Sequence, residues 1–172
     1  MVTKKQTAKR ASKMTKRTLE LRAQLWPKLD EKLLWNRNTA KGFTTIPRTM
    51  PHILDIMDDL AGKGKPVSKV YLSLWCRVFD EGLVEIKSYE DLSFEAGFSG
   101  QRAVTTWKQR MALLVELGFI LVEAGTRGEY DYVLLLNPYP IIKKMYEANK
   151  IQKQKYISLF TRAQEVGATD LQ

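Results

Sequence analysis

Apolar residues recur at helical spacing over most of this chain, and strand-like runs are confined to one stretch of it. Ile53, Ile56, Met57 and Leu60 follow i, i+3, i+4, i+7 spacing. They predict a helix capped by Thr49, opened by Pro51 and closed at Gly62. Ser68 is the expected cap of the next helix, whose face is Tyr71, Leu74, Trp75, Val78 and Phe79 and which Gly82 ends. Leu83 to Ile86 reads as a short strand. Ser88, with Asp91 three residues on, opens a short helix carrying Leu92 and Ala96 that stops at Gly97. Ser99 then caps a longer helix in which Val104, Trp107, Met111 and Leu114 share one face, closing at Gly118. Phe119–Val122 and Tyr130–Leu136 read as two strands, and the glycines of Ala124–Glu129 suit a hairpin loop between them. One last helix is expected from Pro140 to Ala163, with Ile141, Met145, Ala148, Tyr156, Leu159 and Ala163 on one face and Gln152 the polar interruption.

The N-terminal part follows different rules. Residues 1–17 are Lys-rich and lack hydrophobic periodicity, which predicts a disordered basic arm. A short helical stretch follows from about Arg17 to Trp35, interrupted at Pro27, and Asn36–Pro47 reads as irregular. The resulting scheme is an arm (1–17), a helical extension and loop (18–48), a central domain (49–137), a C-terminal helix (138–165) and a tail (166–172). The fold class is mainly α with a small β-hairpin, an α+β chain.

Charge adds direction to this outline. The 172 residues carry 28 Lys+Arg against 19 Asp+Glu, a net charge of +9. The excess is uneven: +7 over residues 1–19, −4 over 52–98, and +3 over 99–115, where there is no acid. A solubilising tail would explain the first block alone. The second basic window, set between acidic stretches, points to a polyanion.

That window coincides with the long helix. If Trp107 and its apolar partners face inward, Ser99, Gln101, Arg102, Thr105, Thr106, Lys108, Gln109 and Arg110 lie on or beside the outward face. After Glu95 the next acid is Glu116, at the far end. Arg can donate two bonds to guanine, Gln can pair with adenine, and Thr can approach a phosphate or a thymine methyl.

The order from Ser68 to Leu136, carried by Asp91–Ser99 through the turn, Gln101–Leu117 and Glu116–Ile120, resembles a winged helix-turn-helix domain. Proteins of bacteria and mobile elements use such domains. The resemblance implies that the second helix reads the major groove of double-stranded DNA while the wing reaches a flanking groove through Thr126 and Arg127. The basic side chains Lys4, Lys5, Lys9 and Arg10 would add phosphate contacts from the arm. The implied role is a transcriptional regulator or a plasmid replication or partition factor. The alternative is a winged-helix protein-docking module.

Other chemistry is poorly represented. One His (His52) and one Cys (Cys76) exclude a Cys/His zinc site within the chain and an intrachain disulfide. Gly62-Lys63-Gly64-Lys65 lacks the spacing of a phosphate-binding loop, and no nucleophilic triad or convergent acid cluster can be assembled. No enzyme activity, cofactor or metal is expected. Trp75 and Trp107 read as core, and Cys76 as a buried thiol. No membrane span or secretory signal is expected, and a cytoplasmic, nucleoid-associated location follows. The apolar face of the last helix suggests a possible homodimer through it.

Overall fold

The structure is a computed structural model. It describes residues 4–79 and 81–171, with side chains from residue 15 onward. The chain divides into two units, residues 1–43 and 44–172.

In the first unit a single helix, α1 (Lys4–Leu25), stands where the pattern predicted an irregular arm and a helix starting near Arg17. The cause is local. No Gly or Pro precedes Pro27, and Lys, Arg, Ala, Gln and Leu dominate, so local propensity favours the helix. Pro27 ends it. The stretch expected to continue to Trp35 is instead a short 3-10 turn, Glu31–Leu33, in which Asp30 accepts the Lys32 N–H at 2.9 Å and Glu31 pairs with Arg22 at 2.5 Å. Within residues 15–43 nothing is buried.

The second unit begins with α2 (Met50–Ala61), which starts after Thr49 with Pro51 in its first turn, as expected. Ile53, Ile56 and Met57 are buried. The Thr49 hydroxyl does not cap this helix but hydrogen-bonds the Tyr139 hydroxyl. In α3 (Ser68–Trp75) the expected cap, Ser68, is instead the first helical residue. Capping falls to Asp58 of α2, whose Oδ1 accepts the N–H groups of Val67 and Ser68 at 2.7 and 2.8 Å, placing a carboxylate at the positive end of the helix. Because α3 stops at Trp75, Phe79 leaves the expected core face and stands 87% exposed; Cys76 is exposed too, not a buried thiol.

After β1 (Leu83–Glu85), α4 (Tyr89–Glu95) begins as expected, Ser88 accepting the Asp91 N–H at 3.0 Å. Gly97 closes it at φ +85°, its N–H reaching Phe94 O and the next N–H reaching Ser93 O. The long helix α5 (Ala103–Glu116) does not start at Ser99. Gly100 lies at φ +79°, which a right-handed helix cannot include, so the turn runs on and Arg102 takes the N-cap position. Trp107, Met111 and Leu114 are fully buried and Val104 partly so.

The strands β2 (Ile120–Glu123) and β3 (Tyr132–Leu135) join β1 in an antiparallel sheet of order β1-β3-β2. Val84, Val133 and Ile120 face the helices. Leu83, Leu134 and Leu121 stand side by side in register on the opposite face and are exposed. The arrangement is α+β: among the described residues, seven α-helices and one small antiparallel sheet.

The single C-terminal helix of the sequence reading is two helices, α6 (Pro138–Glu147) and α7 (Lys153–Val166). Asn149 adopts φ +56°, its N–H bonds Tyr146 O and the Lys150 N–H bonds Met145 O, the left-handed termination that asparagine tolerates best after glycine. Tyr146 and Tyr156 stack across the break at 3.9 Å. Leu159 and Ala163 of α7 and Ile142 of α6 are buried in the unit's own core, and Lys155 of α7 bridges Asp55 and Asp59 of α2. The continuous apolar face expected to pair two copies therefore does not exist as one surface. Among the described residues no helix is long and apolar enough to cross a membrane.

Candidate nucleic-acid interface

The start of α5 decides what its outward side can touch. Since the helix begins at Ala103, Ser99, Gln101 and Arg102 belong to the turn ahead of it, where all three are exposed. Thr105 and Gln109 are exposed one and two turns further on, while Thr106, Lys108 and Arg110 are half-buried. The outward side thus presents amide, hydroxyl and guanidinium groups at the N-terminal end of a helix whose other face is locked by Trp107. No acid interrupts it before Glu116.

The cations on this side have different surroundings. Among the described residues Arg102 has no ion-pair partner. Lys108 Nζ lies 3.8 Å from Glu129 Oε1 and 5.1 Å from the centre of the Tyr89 ring. Arg110 turns back along the unit and donates to Gly64 O at 3.2 Å, so it does not join the outward group. Arg127 pairs with Glu85 of β1 at 3.5 Å.

The β2–β3 loop carrying Thr126 and Arg127 is built around Asp131, which is buried. Its Oδ1 accepts the Tyr89 hydroxyl at 2.7 Å and its Oδ2 accepts the Arg127 N–H at 2.8 Å. That N–H holds the carboxyl below its ordinary value, against the opposing effect of burial and with help from the Tyr89 hydroxyl. Burial, then the bond to Asp131, pushes the Tyr89 hydroxyl up, so it stays a donor. The same oxygen accepts the Tyr130 N–H at 3.2 Å. The Tyr89 ring stacks on Trp107 at 5.5 Å, and Tyr130 meets Trp107 edge-on at 5.8 Å. One tyrosine of α4 therefore couples the loop to α5.

This network explains the two glycines. A Cβ on Gly125 would collide with the Asp131 carboxylate, and one on Gly128 would lie 2.7 Å from the Tyr89 hydroxyl. Thr126 and Arg127, between them, are exposed, with the Arg127 guanidinium turned toward Glu85.

The structure brings the α5 turn, the outward side of α5 and the hairpin loop into one unit. The side chains of Lys4, Lys5, Lys9 and Arg10 lie outside the described residues. The structure also shows groups that periodicity did not single out. Lys69 of α3 is exposed, and its Nζ lies 3.4 Å from where a Cβ on Gly97 would stand, at the turn leading to α5. Lys63 and Lys65 are exposed on either side of the carbonyl that Arg110 holds. Their signal in the sequence is the basic run itself, which lacks phosphate-loop spacing, although isolated lysines suffice for backbone contact. Among the described residues no three His, Cys, Asp or Glu side chains gather in a metal-holding group. No protein-family model, curated protein or solved structure matches this chain, so its function has to be read from the site itself.

Proposed function

We propose that this chain is a sequence-specific double-stranded DNA-binding protein of winged helix-turn-helix type, acting at the nucleoid as a transcriptional regulator or a plasmid replication or partition factor. In this reading α3, α4 and α5 with the β1-β3-β2 sheet are the reading head. Gln101, Arg102, Thr105 and Gln109 enter the major groove, Thr126 and Arg127 follow the flanking groove, and Lys63, Lys65, Lys69 and Lys108 lie near phosphates. The observation that carries it is the exposed N-terminal end of α5, which holds no acid of its own before Glu116, backed by a fully buried Trp107.

The test is duplex binding across a salt series. A DNA reader loses affinity linearly in log–log form, with a slope of about −0.9 per neutralised phosphate. On a duplex selected from random sequence, Arg102→Ala should cost about 1–3 kcal/mol and relax preference at one base pair. Phe79 and Phe94, 87% and 76% exposed, favour a second reading, protein docking. A docking module shows no salt-dependent affinity for duplex and no response to Arg102→Ala.

A further inference from the structure

Two carboxylates sit against the candidate interface from elements outside α5. Glu129 of the hairpin loop faces Lys108 Nζ at 3.8 Å, and Glu85 of β1 faces Arg127 Nη2 at 3.5 Å. All four side chains are between about one-third and two-thirds exposed, so each pair is held loosely and can open. Arg110 is directed to Gly64 O. In the closed arrangement Arg102, in the turn ahead of α5, faces no carboxylate among the described residues, while Arg110 keeps its charge but is turned to a neutral carbonyl.

Affinity for arbitrary duplex comes almost entirely from phosphate neutralisation, and a cation already facing a carboxylate contributes little to it. A cation held by a carboxylate has to leave it before it can meet a phosphate, whatever the base sequence. We infer that Glu85 and Glu129 are autoinhibitory residues: they hold Arg127 and Lys108 away from the phosphates of random duplex, and any duplex that does engage those cations bears the cost of opening the pairs. The acids act on affinity and on no bond-making step. This inference rests on the DNA-binding reading above.

The experiment compares the full-length chain with Glu85→Gln, Glu129→Gln and the double variant, on a random-sequence duplex and on a duplex selected by the wild type. Glu165→Gln is the control, because it frees Arg162 on α7 and changes net charge equally. The expected result is tighter binding of random duplex by both single variants. The salt slope should steepen by about 0.9 for each freed cation, which is about three- to fourfold in affinity over a fourfold salt range. Affinity for the selected duplex should rise at least as much, because the wild type has to open the pairs there too, so the ratio of selected to random affinity should not fall; the control should match wild type. If wild type binds duplex but the variants leave affinity and slope unchanged, or the ratio falls, or the control rises equally, the inference fails and the DNA-binding reading stands. If no form binds duplex, the reading itself fails and takes the inference with it.

Discussion

Asp131 is the residue on which the geometry of the hairpin loop turns, since its two oxygens hold α4 through Tyr89 and the loop backbone through Arg127. Its carboxyl is shifted downward in the folded state. The stability it contributes is therefore complete above the ordinary aspartate value of about 4 and is lost as pH falls through the lower folded-state value. Urea midpoints followed into the acid range should show this loss in wild type and a flatter acid limb in Asp131→Asn. Gly128→Ala meets the Tyr89 hydroxyl and should destabilise by about 1–3 kcal/mol, the usual cost of overpacking, read from the same denaturation curves. Burial has a second effect nearby: it pushes the Tyr71 hydroxyl up to about 12, so that core phenol stays neutral throughout the range in which the protein is handled.

At the scale of elements, periodicity located what is packed and failed where local backbone chemistry decides. The faces Ile53/Ile56/Met57 and Trp107/Met111/Leu114 were legible because core residues repeat every 3.6 positions and nothing else produces that pattern. The end of α5 was legible from Gly118, at φ +80°. Its beginning was not, because Ser99 looked like a cap while the left-handed Gly100 beside it forced the helix to wait until Ala103. In the same way an apolar stripe interrupted only at Gln152 hid the corner between α6 and α7. Asn149 was the available sign, and it carries no weight in a count of hydrophobic spacing. Asn149→Val should therefore destabilise by about 1–2 kcal/mol, while Asn149→Gly should be tolerated, as thermal melts of the two variants will show. The candidate site was half legible: the exposed group at the start of α5 follows from the inward face. The pairing of Lys108 with Glu129, of Arg127 with Glu85, and the retreat of Arg110 to Gly64 depend on elements that folding alone brings together.

For the whole molecule, charge sets behaviour at long range. The basic block at residues 1–19 has no acid within it, so any contribution it makes to the proposed duplex binding is non-selective. Deleting residues 1–17 should weaken binding to selected and random duplexes by a similar factor and make the salt slope shallower, whereas Arg102→Ala acts on the selected duplex. A chain of net charge +9 also repels its own kind at low ionic strength. The outer sheet face, with Leu83, Leu134 and Leu121 in one exposed row, has the opposite tendency. Added electrolyte shortens the reach of that repulsion from about 10 Å at 0.1 M to about 3 Å at 1 M, while leaving the leucines as they are. Concentrated stocks should thus stay clear in dilute buffer and turn cloudy on salting, and replacing Leu121 with lysine should delay the onset of light scattering.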